Sequence, residues 1–170
     1  MKPETKGAIL ILALSMIWKT LLLLTGWVDM AIGKYPLLPV LGFLLIGMYR
    51  SMEERRKLSF PNGIPFKEAF KSGMSVAALF SLAYSLYIYV YLNFLDPNYK
   101  LRFVDQRVAD MVEQQTSAEN IEAWKKSTAN FPFEITWLVF TFVGILVLGT
   151  FYAAMTSRMM VKKFPVTQAK

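Results

Sequence analysis

The stretch ILALSMIWKTLLLLTGW, residues 11–27, decides how the rest of the chain is read. It belongs to a run over residues 7–28 in which Lys19 is the one charge. At ~1.5 Å of helical rise per residue, such a run crosses the ~30 Å hydrocarbon core of a bilayer. A cleaved secretory signal has an apolar core of ~7–15 residues and a small-residue exit. This run is longer, and LTGWVDM offers no such exit. Lys19 lies ~18 Å along the run from Gly7 and ~14 Å from Val28. A lone charge at that depth costs at least ~2.5–3.5 kcal/mol on the insertion scale, less if the side chain snorkels. Ser15, Lys19, Leu22 and Gly26 share one helical face, which points the lysine at the bundle, a partner subunit or a lipid headgroup. Asp29, Glu134, a tyrosine of the third span and backbone carbonyls opened near Pro39 are its candidate partners.

Working outward, the composition fits the same solvent. The chain of 170 residues is 55% hydrophobic and 15% aromatic, with a mean hydropathy of +0.37. That is more apolar surface than so short a soluble chain can bury. Cysteine and histidine are absent, so disulfides, thiolate nucleophiles, Cys/His zinc sites and imidazole acid–base chemistry are excluded. Three further apolar segments follow, at about 35–52, 72–95 and 134–157. The second is the weakest. Its core LLPVLGFLLIGMY has 13 residues, short of the ~17–25 a spanning helix needs, so a re-entrant segment is the competing reading.

The net charge of +7 tests this arrangement. With the N-terminus inside, segments 1–6, 50–71 and 158–170 hold 12 of the 19 basic residues, and segments 29–35 and 96–133 hold six. The positive-inside rule therefore places both termini in the cytoplasm. Trp27, Tyr35, Tyr89, Tyr91, Tyr99 and Trp137 stand at the expected outer interface, where aromatic belts form. A nucleic-acid surface does not alternate with membrane-length apolar runs, so that partner class is set aside. The expected fold is all-α and integral to the membrane, a single domain over 1–170 with four transmembrane helices. A cytoplasmic loop covers 53–71, and an extracytoplasmic loop of two short amphipathic helices covers 96–133.

Small residues suggest how the spans associate. Gly73, Ala77, Ser81 and Ser85 recur every four residues, and Gly149 with Ala153 forms a similar surface on the last span. Such faces let backbones approach closely in lipid, and homo-oligomer contacts use the same device. In the inner loop, Pro61-Asn62-Gly63 is turn chemistry. Pro65 suits the start of a helix running straight into the third span. Phe60, Phe66 and Phe70 cluster beside Arg55, Arg56 and Lys57, a pattern for anchoring to anionic headgroups or docking a partner. In the outer loop, Val104, Val108, Met111 and Val112 follow helical spacing. Thr116 and Glu119 have capping-box spacing ahead of a second helix. The loop's six acids are scattered and match no calcium loop, so no metal is expected.

Four motifs, in order along the chain, carry a resemblance: LSFPNGIPFKEAFKSGM before the third span, LDPNY after it, TSAENIEAWKK late in the outer loop, and MMVKKF at the close of the last span. Together they resemble the integral membrane family of Bacteroidota catalogued as domain of unknown function 4199. The resemblance covers nearly the whole chain and implies a four-span protein of the inner membrane. It implies no activity, substrate or catalytic residue, and it is silent about Lys19. The expected role is an accessory or structural subunit of a larger membrane complex, such as one for protein export or envelope assembly. The alternative is a small transporter or lipid-binding protein using Lys19 as its anion contact. Ser15 and Lys19 also form a serine–lysine pair at i, i+4, but with no visible oxyanion hole. No enzyme activity and no cofactor are expected; other membrane proteins and lipids are the expected partners.

Overall fold

Prolines and glycines set the helix boundaries seen in the computed structural model, which describes residues 1–27 and 37–165. Helix α1 (Pro3–Leu24) begins with its proline in the first turn, where a missing N–H costs nothing. It stops at Gly26, whose φ of +70° is the left-handed conformation that glycine takes most readily. Helix α2 (Leu37–Ser59) carries Pro39 near its described start, and the carbonyl four residues before it, named as a partner for Lys19, lies outside the described residues. Gly63, at φ +113°, shapes the turn after α2. The Pro65 carbonyl then accepts the N–H groups of Glu68 and Ala69 at the start of α3 (Phe66–Val90). A π-helical turn (Tyr91–Leu95) follows, then α4 (Tyr99–Glu113), α5 (Ala118–Ala129) and α6 (Phe133–Lys163). No described residue lies in a β-strand.

Among the described residues, three helices are long and apolar enough to cross a membrane: Pro3–Leu24, Phe66–Leu95 and Phe133–Lys163. Helix α2 is not among them, because past Tyr49 it carries Arg50, Glu53, Glu54, Arg55, Arg56 and Lys57. The third apolar segment extends toward the N-terminus as foreseen, through FKEAF to Phe66. The two short helices expected within 96–133 are α4 and α5, but the cap of α5 is shifted by one residue. Ser117, not Thr116, caps it, its hydroxyl accepting from the Asn120 N–H at 3.4 Å. Thr116 instead closes α4, its N–H reaching the Met111 carbonyl while Gln115 turns through φ 57°.

The chain divides into two compact units, Met1–Tyr84 with Phe142–Lys170, and Ser85–Thr141. In the first, α1 and α2 run antiparallel at very close range. A side chain on Gly7 would overlap Ser51, and one on Gly47 would overlap Ile11. The same economy joins α3 to α6. A Cβ on Gly73 would stand 2.9 Å from that of Ala153, and one on Gly149 would stand 2.7 Å from that of Ala77. Met48 and Met52 of α2 are fully buried and reach over these two glycines. Dispersion between close-packed backbones is what holds helices together in lipid, and only small residues permit it. In the second unit, Tyr99 and Phe103 of α4 pack on Phe133 and Trp137 of α6 with ring centroids 5.4–6.2 Å apart. Ile121 is the buried residue of α5.

Candidate functional site

The first unit holds a polar knot at one end of its helices. Glu4, only 5% exposed, accepts from Arg55 Nη1 at 2.6 Å and from the Ser72 hydroxyl at 3.0 Å. The other arm of Arg55 reaches Glu68 at 2.8 Å. One guanidinium thus ties α1, α2 and α3, and its planar fork suits two carboxylates at once. Around it, Lys6 pairs with Glu54 at 2.5 Å, and Lys163 donates to the Tyr49 hydroxyl at 3.1 Å. Arg56 lies 3.9 Å above the Phe164 ring, a cation–π contact.

The second unit is organised by Asp96, which ends the π turn. Its N–H bonds to the Tyr91 carbonyl at 2.8 Å, the i→i−5 pattern of that turn. Its buried carboxylate accepts from the Tyr91 hydroxyl at 3.0 Å and from Arg102. Burial pushes the Tyr99 phenol above its ordinary pKa; the Asp96 charge adds to the shift and Arg102 offsets part of it. Within the same unit, α4, α5 and the start of α6 enclose a groove of about 640 Å³. Phe103, Trp124, Phe131, Trp137 and Phe140 line it, and Arg107 contributes the charge.

Of the residues singled out from sequence, Ser15 and Lys19 lie on the packed face of α1 with Leu22; Lys19 is 6% exposed. The Ser15 hydroxyl donates to the Ile11 carbonyl at 2.7 Å, so it is held along its own helix. Gly26 does not join that face as expected. It is exposed beyond the helix end, because its role is to stop the helix. Asp29, named as a partner for Lys19, lies outside the described residues. Phe66 and Phe70 stack at 5.8 Å, while Phe60 closes the turn through its backbone, its N–H on the Arg56 carbonyl and its own carbonyl on Gly63. Ile64 is the fully buried member of that apolar loop. Gly73, Ala77, Ser81, Ser85, Gly149 and Ala153 are all buried, and Ser81 donates to the Ala78 carbonyl at 3.1 Å.

Sequence reasoning missed the Glu4–Arg55–Glu68 link, the Asp96 hub and the groove. Arg55 reads as a cytoplasmic charge and as part of a headgroup-anchoring or docking cluster, and its partners lie 51 and 13 residues away. The one available signal was an acid at Glu4 inside a segment otherwise rich in basic residues.

Comparison with protein families matches residues 6–162 to the family described as Protein of unknown function (DUF4199), and the chain belongs to that family. No curated protein and no solved structure matches the chain.

Proposed function

We propose, with that family membership as the premise, that the chain is a bacterial inner-membrane protein serving as an accessory or structural subunit of a larger membrane complex, without chemistry of its own. The observation that carries this reading is α4. None of its residues is fully buried, and Leu101 and Val112, 64% and 60% exposed, stand on the side away from Phe103 and Arg107. An amphipathic helix with an uncovered apolar side is built to lie against something else. The small-residue contacts of the first unit supply the rigid anchor such a subunit needs. Photo-crosslinkers placed at Leu101 and Val112 are expected to capture another membrane protein, and that protein is expected to co-purify in mild detergent at native expression. A clean uncrosslinked monomer at native expression overturns the proposal.

The topology belongs to the same proposal: four spans, with both termini in the cytoplasm. Its support is the basic-residue asymmetry, together with the close antiparallel pairing of α1 and α2. At ~1.5 Å per residue the 23 residues of α2 extend about 35 Å, enough to cross although the apolar portion is shorter. The absence of cysteine makes the test direct. Single Lys2→Cys and Asn62→Cys variants are expected to react with an impermeant maleimide from the cytoplasmic side, and Glu119→Cys from the opposite side. Lys2→Cys and Asn62→Cys reacting from opposite sides would mean that α2 turns back.

A further inference from the structure

The groove of the second unit points to a ligand of definite chemistry. Its walls are aromatic, and its volume of about 640 Å³ falls within the ~300–1,000 Å³ of ordinary ligand pockets. Arg107 sits at it, exposed, with no ion pair to any described residue. Two of the three hydroxyls along the rim are held by their own helices: Ser127 donates to the Trp124 carbonyl at 2.8 Å and Thr136 to the Pro132 carbonyl at 2.9 Å. An apolar trough with one uncommitted guanidinium is complementary to an amphiphile bearing a single negative head.

The position of the groove says which amphiphile. One wall is the first two turns of α6, and α6 is a helix apolar enough to cross a membrane. Phe140 lies seven residues beyond Phe133, ~10 Å further along the axis. It is 68% exposed, and Val139 and Val143 beside it are exposed as well. The groove therefore opens onto an exposed apolar face of a helix apolar enough to cross a membrane. We propose that this groove holds an acyl chain of an anionic phospholipid from the adjoining leaflet, with the lipid phosphate seated on Arg107. The planar guanidinium meets two phosphate oxygens at once, and the rings of Phe103, Trp124 and Trp137 flank the chain. This goes beyond the accessory role: the lipid occupies the Phe103–Arg107 side of α4, and the crosslinking positions lie on the other.

Two of the four tryptophans, Trp124 and Trp137, line the groove and report directly on it. In a full-length Trp18→Phe/Trp27→Phe background in nanodiscs, brominated phosphatidylglycerol is expected to quench them at about one-fifth the mole fraction that brominated phosphatidylcholine requires. Arg107→Gln is expected to abolish the difference, and Arg107→Lys, which keeps the charge, to retain most of it. Arg107 is exposed and holds nothing together, so the Gln variant is expected to keep the parent's circular dichroism and melting temperature. Equal quenching by the two lipids, or a preference that survives Arg107→Gln, overturns the proposal. So does displacement of the phospholipid by an equimolar brominated fatty acid, which would assign the groove to a free acid instead.

Discussion

Arg55→Ala is expected to lower the unfolding free energy by about 3 kcal/mol, the lower end of the range for breaking a buried pair by removing one partner. The loss comes less from the missing ion pair than from what stays behind. Glu4 remains buried with the Ser72 hydroxyl and a backbone N–H but no cation, and Glu68 loses its cation as well. A carboxylate deprived of both water and guanidinium is a poor tenant of a helix junction. Adding Glu4→Gln to the Arg55→Ala chain removes the stranded charge and keeps an acceptor for Ser72. The double variant is therefore expected to regain a substantial part of the stability, a non-additivity that a double-mutant cycle in one detergent measures. If Arg55→Ala melts within a degree or so of the parent, the knot is ornamental and its residues act only as topological charges.

The second large effect concerns Gly149. Its missing side chain is what allows α6 to lie on Ala77, and a methyl placed there comes to 2.7 Å from the Ala77 methyl. Neither methyl can rotate away, so the helices must separate and the Met48 side chain, 3.5 Å off, must shift with them. Overpacking of this kind costs about 1–3 kcal/mol. Gly149→Ala is accordingly expected to destabilise and Gly149→Leu to destabilise more. Gly144 supplies the control on the same helix, since a methyl there meets nothing within 4 Å. Gly144→Ala is expected to be neutral or slightly stabilising, because alanine is the better helix former by about 1 kcal/mol in water. Equal thermal melts for Gly144→Ala and Gly149→Ala would show that the α3–α6 approach is not what the glycine serves.

What was legible in the sequence follows from which interactions are periodic. The apolar runs, the start of α3 just after Pro65 and the paired helices between residues 96 and 133 repeat at helical spacing, so one strand of text reveals them. The small residues of α3 and α6 were legible for the same reason. The inward face of α1 was readable as far as Leu22, but Gly26 carries the helical count past the point where the chain has already turned. Side-chain pairings across elements leave no such trace. Glu4 meets Arg55 because two helices run antiparallel, and no local pattern records that. The groove is assembled from three separate segments around Phe103, Trp124 and Trp137, each unremarkable alone as an interfacial aromatic residue.

The π turn at Tyr91–Leu95 carries a different kind of specification. An α-helix advances ~100° per residue, so a turn containing one residue more sets the direction of everything after it. Deleting the exposed Asn93 would let the segment close as an ordinary turn, the bond from the Asp96 N–H to the Tyr91 carbonyl becoming i→i−4 in place of i→i−5. The side chains at positions 93–95 face outward and are open to replacement. What this short segment encodes is a residue count, and insertions or deletions act on it where substitutions do not.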